Sequence, residues 1–201
     1  MQKSGVLSSM EKKDTKKLLF DTALSLFRER GCENVTIQQI CKAAGTTRNA
    51  FYYHYTSKED LLCSYFECLP FSENELFSNL LKQPDEWEML LYVYEIHTRM
   101  VIQEGKDFVR HLSIACTQNK KSLFSHYGTT TSYGTVLIQK CKEKGLISSP
   151  LAAEDLSYLA RTVSNASVRK WSISGDDFDV IAHTRLRLTQ LLRPELACDG
   201  E

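Results

Sequence analysis

The sequence predicts an all-helical protein, built from a small three-helix head and a larger helical body. Apolar residues recur at spacings of three and four along most of the chain, which is the period of amphipathic helices. Glycine and proline number only nine and four among 201 residues, too few for a sandwich or barrel that turns often. A hydrophobic fraction of 42% is enough to build a core, whereas the apolar runs fall far short of the ~20 residues of a membrane span.

The first helix is marked by one apolar stripe and a glycine stop. Phe20, Ala23, Leu24 and Phe27 follow the i, i+3, i+4, i+7 pattern of a helix that buries one face. Gly31 comes directly after the last periodic turn, where a helix typically ends. The polar residues before the stripe show no period, so residues 1–14 are predicted to form a flexible tail.

Two short helices follow, separated by a tight turn. Thr36 and Gln39 form a T-x-x-Q capping box, which predicts a helix start. Gly45 should end this helix after about two turns, and Thr46 or Thr47 can cap the next helix at once. Two short helices joined by a glycine-containing turn are the signature of a helix-turn-helix.

The third helix, about residues 48–54, carries an unusual outer face. Arg48, Asn49, Tyr52 and Tyr53 share that face, while Phe51 can point inward. Arginine can bond guanine, asparagine can read adenine, and tyrosine can bond a phosphate oxygen. The pattern therefore favours a surface that meets the edges of base pairs.

A fourth helix is predicted to begin at Ser57 and to run to about residue 68. Ser57 and Asp60 make an S-x-x-D capping pattern, and Tyr55 should pack just before it. Lys58 lies in the first turn, where its charge and the free amide groups would form a phosphate site.

The charge is divided between the two ends of the chain. Residues 1–58 hold ten basic and five acidic side chains, so the remainder carries a net charge of −5 within a neutral total. A basic head on an acidic body indicates that the head meets a polyanion.

The segment TIQQICKAAGTTRNAFYYHYTSKEDLL (36–62) resembles the DNA-binding head of the TetR family of transcriptional regulators, and LLFDTALSLFRERG (18–31) resembles that family's first helix. The composition leads us to expect a cytoplasmic protein. The resemblance implies an all-helical regulator, with repression as the family default, that binds a palindromic operator as a homodimer. It further implies release from double-stranded DNA by a small-molecule effector.

Carried over position by position, the resemblance implies a set of DNA-contacting residues. Thr46 and Asn49 depart from common family usage, and the departure at Asn49 means that no other member's operator sequence can be adopted. The implied contacts are Thr36, Gln38, Thr47, Arg48, Asn49, Ala50, Tyr52, Tyr53, His54 and Lys58.

Residues 59–193 are predicted to form a helical effector-binding and dimerisation domain, after a helix-turn-helix domain over 15–58 and before a loose tail over 194–201. Pro70 should break or bend the fourth helix. Half-polar aromatic side chains in the middle helices suit a ligand cavity, although an ordinary aromatic core would explain most of them. These candidates are Tyr65, Phe66, Trp87, Tyr94, His97, His111, Tyr127 and Tyr133.

The last two helices, about residues 152–171 and 177–192, have broad apolar faces. Such a pair could meet its copy in a four-helix dimer interface, or could simply complete the subunit's own core. The interface candidates are Leu156, Leu159, Val163, Ile181, Leu188 and Leu192.

Nothing in the sequence indicates catalysis or a bound cofactor. The five histidines form no H-x-x-x-H pair, and neither a nucleophile elbow nor a phosphate loop occurs. The seven cysteines contain no C-x-x-C pair, which argues against a metal site and favours reduced apolar fillers. The expected function is therefore a regulator, not an enzyme; the alternatives are a regulator controlled through protein partners, or a helical enzyme or ligand carrier.

Overall fold

The computed structural model describes residues 3–65, 73–119, 128–175 and 177–193, and within these ranges every regular element is a helix. The helices are α1 Lys3–Arg30, α2 Ile37–Ala43, α3 Arg48–His54, α4 Lys58–Cys63, α5 Glu73–Leu80, α6 Glu86–Ile102, α7 Gly105–Gln118, α8 Gly128–Glu143, α9 Ala153–Ile173 and α10 Val180–Leu192. The predicted all-α class is confirmed. Phe66, Pro70, Tyr127 and the tail over 194–201 lie outside the described residues.

The chain divides into two compact units. The first contains residues 1–70 together with 110–125, and the second contains 71–109 and 126–201. The first unit thus includes most of α7, whereas the sequence predicted a head that ends at residue 58. Helical backbone from Lys3 onward also differs from the predicted flexible tail, since good helix formers at residues 10–13 can extend a helix at one hydrogen bond per residue.

The first unit is held by the apolar stripe of α1. Phe20, Ala23, Leu24 and Phe27 are all buried, and Phe51 of α3 is completely buried. Tyr55 packs just beyond α3, and its hydroxyl donates to the carbonyl oxygen of Lys16 at 3.1 Å. The short α2 and α3 are therefore fixed by burial against α1 rather than by their own length, since isolated helices of this size are unstable in water.

The caps of the short helices follow the sequence signals. The Thr36 side chain accepts from the Gln39 amide while the Gln39 side chain accepts from the Thr36 amide, which completes the predicted capping box. Thr47 caps α3 by accepting from the Ala50 amide. Ser57 caps α4 in the same way, but the Asp60 carboxylate accepts from Thr56 rather than from Ser57. These hydrogen bonds satisfy amides that no helical carbonyl can reach.

The second unit has its own core, formed where α6, α8, α9 and α10 pack together. Leu90, Ile138, Leu156, Leu188 and Leu192 are buried at its centre. Burying one such aliphatic side chain contributes roughly 1.5–3 kcal/mol. The core explains why the apolar faces of the last two helices are so broad.

A close approach between α6 and α8 occurs at Gly134. A β-carbon at this position would lie 2.5 Å from the hydroxyl oxygen of Tyr94. That hydroxyl donates to the Ser157 hydroxyl at 2.9 Å, so the Tyr94 ring joins three helices. The space that a side chain would occupy at residue 134 is therefore filled by Tyr94.

A buried carboxylate joins α6 to α10. Glu95 is fully buried and accepts from Arg99 at 2.7 Å and from Arg185. Arg185 also donates to Glu88 at 2.6 Å, and these carboxylates raise the pKa of its guanidinium. The two negative and two positive charges compensate one another, as a buried ion needs.

Candidate nucleic-acid interface

The outer face of α3 is an exposed polar and aromatic surface of the first unit. Arg48 and Asn49 are exposed, and the side chains of Tyr52 and Tyr53 are 47% and 65% exposed. Phe51 lies on the opposite side and is buried. Exposing two tyrosines on a seven-residue helix leaves apolar area in water, which is more easily explained by a binding surface than by solvation.

Arg48 and Tyr52 form a pair along this face. The Arg48 guanidinium lies 5.9 Å from the centre of the Tyr52 ring, and its Nη2 is 3.5 Å from the Tyr52 hydroxyl. This contact raises the pKa of Arg48, so the guanidinium stays charged. An arginine that is held along the helix but open to solvent can meet a guanine edge or a phosphate.

The remaining α3 candidates are less open. His54 is partly buried, and its ring stands edge-on to Tyr53 with the ring centres 4.9 Å apart. Ala50 is partly buried, and the Thr47 hydroxyl is occupied by its cap. Among these residues, Arg48, Asn49, Tyr52 and Tyr53 thus present most of the accessible contact surface.

At the start of α2, Thr36 and Gln38 are both exposed. The Thr36 hydroxyl is 3.0 Å from the Gln39 side-chain oxygen and also accepts from the Gln39 amide. Gln38 is therefore the freer side chain of the two for a contact with a phosphate.

The Lys58 side chain has partners that the sequence did not predict. Its Nζ donates to the carbonyl oxygen of Cys32 at 2.7 Å and to that of Val35 at 3.0 Å. The ammonium is thus directed at the turn between α1 and α2, because that turn leaves two carbonyls in need of donors. Sequence spacing gave no signal of this contact, which spans more than twenty residues of chain.

Two of the proposed pocket residues belong to the first unit and have partners there. Tyr65 is buried, with its ring centre 6.2 Å from that of Phe20. His111 of α7 lies with Nε2 3.2 Å from a carboxylate oxygen of Glu33. In this structure these two side chains contact α1 and the turn that follows it, and their part in a ligand pocket stays a prediction.

The other described pocket candidates lie in the second unit, and their surroundings vary. Burial raises the pKa of Tyr94 to about 12 and lowers that of His97 to about 3, so both are neutral near pH 7. Tyr133 is partly buried against the core. The Arg193 guanidinium covers one face of the Trp87 ring, 3.6 Å from the ring centre.

Half of the predicted dimer residues lie inside the subunit's own core. Leu156, Leu188 and Leu192 are buried in the subunit's own core, so they offer no surface to a second copy. Val163 packs against the same core. Val163, Leu159 and Ile181 are each partly buried. The sequence shows the broad apolar stripes of the last two helices but does not show that α6 and α8 cover them. The stripes therefore look wider than one core needs when the sequence is taken alone.

Five of the cysteines are buried and form no disulfide, as the predicted filler role requires; they are Cys32, Cys41, Cys63, Cys116 and Cys141. No group of three potential metal ligands occurs among the described residues. Within the same ranges, none of the helices is long and apolar enough to cross a membrane.

Comparison with known proteins supports the assignment of the head. Residues 19–64 match the family model of bacterial regulatory proteins of the tetR family. The transcriptional regulator AcrR of Shigella flexneri is 23% identical over 205 residues, which covers 95% of this chain and 94% of that protein. The uncharacterised regulator YuxN of Bacillus subtilis is 30% identical over 100 residues, 48% of this chain and 33% of that protein.

Solved structures share the fold of the chain. A TetR-family regulator from Pectobacterium atrosepticum superposes with a TM-score of 0.70 at 21% identity, over 92% of this chain and 95% of that one. The repressor FadR of Thermus thermophilus, solved in complex with lauroyl-CoA, superposes with a TM-score of 0.64 at 19% identity. This match covers 88% of this chain and 93% of that one. These comparisons show that residues 19–64 form a helix-turn-helix head of the tetR-family kind, and that the chain is similar to TetR-family regulators in sequence over most of its length and in its all-helical fold.

Proposed function

We propose that the protein is a cytoplasmic repressor that binds a palindromic operator as a homodimer and is released by a small molecule. The observation that carries the DNA-binding mode is the exposed face of α3, where Arg48, Asn49, Tyr52 and Tyr53 lie opposite the buried Phe51. A helix of this kind fits the major groove, where each base pair presents a distinct pattern of donors and acceptors.

Selection of bound duplexes from a random pool tests this mode. We expect an inverted repeat whose half-sites lie about 34 Å apart, or one further helical turn. Arg48→Ala should relax the preference at one base pair per half-site and cost roughly 1–3 kcal/mol there. Measured affinities for each single-base variant of the selected site give this preference directly.

Arg30→Ala provides a matched control, because Arg30 is an exposed arginine of the same head that lies on α1 and pairs with Glu29 of that helix. It should leave the preference for every base pair unchanged. An Arg48→Ala variant with wild-type preference would show that the outer face of α3 does not read bases.

The homodimer is proposed on the exposed sides of α9 and α10, two helices that pack against each other. Tyr158 and Ile173 are exposed on one face of α9, opposite its buried residues, and Leu186 is 53% exposed on α10. A palindrome is read by two heads, and a second copy seated on this face would supply the second head. These residues replace the buried leucines as the candidates for the interface.

Leu186→Glu should convert the dimer to a monomer, because the added carboxylate would lose water at the centre of an apolar contact. Sedimentation equilibrium measures the change in mass. Val136→Glu is the control, since Val136 is equally exposed but lies on α8. A Leu186→Glu protein that stays dimeric would place the interface elsewhere.

Release by a small molecule is supported by the solved complexes of similar proteins. FadR of Thermus thermophilus contains lauroyl-CoA and FadR of Bacillus subtilis contains stearoyl-CoA. An effector acts only if it binds the non-binding arrangement more tightly than the DNA-bound one. Lauroyl-CoA added to the complex with the selected duplex is the first probe: release supports an acyl-CoA effector, and retention of the DNA counts against that class.

A further inference from the structure

The turn between α1 and α2, residues 31–35, is more firmly held than its exposed position suggests. Gly31 takes a positive φ of 78°, which ends α1, and the side chains of Cys32 and Val35 are buried on either side of the turn. Carbonyl groups in such a turn have no partner within a helix, so they need donors from elsewhere.

Lys58 supplies donors to two of these carbonyls. Its Nζ is 2.7 Å from the oxygen of Cys32 and 3.0 Å from that of Val35, and both contacts are partly buried. An ammonium has three N–H groups, so these two bonds use most of its donors. Hydrogen bonds from a charged donor are shorter and stronger than neutral ones, which suits a contact that must fix a backbone.

We propose that Lys58 is a positioning residue that fixes the turn before α2, and that it does not bind a DNA phosphate. Val35 directly precedes Thr36, the residue that caps α2, so the Val35 carbonyl determines where α2 begins. Gln38 lies in the first turn of α2 and is exposed. By holding Val35, Lys58 determines where this end of α2 meets DNA; the inference rests on DNA binding by the head.

Two further contacts hold the same turn. The Asn34 side chain donates to the carbonyl of Arg30 at 2.9 Å, and the Glu33 carboxylate lies 3.2 Å from His111 of α7. The turn is thus fastened to α1, α4 and α7 of the first unit. Lys58 differs from the other two contacts because it joins a separate helix to the backbone of the turn itself.

The salt dependence of DNA binding distinguishes a positioning lysine from a phosphate ligand. The probe is a duplex of mixed sequence, so no operator is required. Loss of one phosphate contact lowers the slope of log affinity against log salt by about 0.9. For Lys58→Met we expect an unchanged slope and a binding constant lower by roughly fivefold at every salt concentration, the size of one hydrogen bond.

Amide exchange gives a second readout that does not depend on DNA. In Lys58→Met the amides of residues 33–37 should exchange faster by about tenfold, because the turn opens locally when its charged donor is lost. Lys42→Met, an exposed lysine of α2, is the control and should leave these rates unchanged. If Lys58→Met does not fold, Lys58→Gln keeps N–H donors without charge and should retain the wild-type slope.

A slope lowered by about 0.9 in either Lys58 variant would overturn the proposal, because it would reveal a phosphate contact. Unchanged exchange at residues 33–37 in Lys58→Met would also overturn it. Should the unmodified protein bind the duplex without any salt dependence, DNA binding by the head would fail instead. The exchange rates would still decide whether Lys58 holds the turn.

Discussion

Phe51→Ala is expected to destabilise the first unit by about 3–5 kcal/mol, the usual cost of removing a fully buried phenylalanine ring. Phe51 is 0% exposed, and its ring centre lies 5.7 Å from that of Tyr55. The cavity would lie between α3 and the helices that support it, so α3 should lose its fixed orientation. Amide exchange over residues 36–55 measures this loss within the head.

Tyr53→Ala is the matched control, since Tyr53 is 65% exposed on the same helix. Its stability should change by no more than about 0.5 kcal/mol, as for most surface substitutions. DNA binding should weaken in both variants, but exchange should accelerate only in Phe51→Ala. Equal acceleration in the two variants would show that the face of α3 has been assigned the wrong way round.

Arg185→Leu is the second substitution with a large expected effect, about 3 kcal/mol of lost stability in the second unit. Removal of one partner from a buried ion pair costs roughly 3–5 kcal/mol, because the remaining charge is left without compensation. Glu95 would keep Arg99, whose side chain is 45% exposed, so the lower end of this range is expected. Urea denaturation followed by the fluorescence of Trp87 and Trp171 measures the change.

Arg187→Leu removes the same charge two residues further along α10. Arg187 is exposed and donates to Gln190, so its loss should shift the denaturation midpoint very little. If both substitutions proved equally mild, the Glu95 carboxylate would have to find another partner or water after the change. The double variant Glu95→Gln, Arg185→Leu should recover part of the loss, because it removes the uncompensated charge.

The head could be predicted from sequence in detail because its signals are local. Thr36 and Gln39 form a capping box within four residues, and Thr47 caps α3 in the same manner. The burial of Phe51 beside exposed Tyr52 and Tyr53 follows from helical spacing alone. Propensities, caps and periodicity agree with one another here, as expected for a sequence that specifies one local structure.

The contacts that could not be predicted join residues that are distant in sequence. The contact of Lys58 with Cys32 spans 26 residues, and that of Arg185 with Glu95 spans 90. Glu95 could have been noticed as an acidic residue four positions before Arg99, although that spacing usually marks an exposed pair. The sequence could not decide between a dimer interface and the subunit's own core for Leu156, Leu188 and Leu192, because periodicity gives the apolar face of a helix but not which neighbour covers it.

Because Gly134 has no side chain, the residues allowed at positions 134 and 94 depend on each other. The Tyr94 hydroxyl already lies where even a methyl group would have to go. A related protein with a larger residue in place of Gly134 would need a smaller residue in place of Tyr94. It would then also lose the hydrogen bond from Tyr94 to Ser157. Covariation between these two sites among relatives would therefore report the crossing of the two helices without any structure being solved.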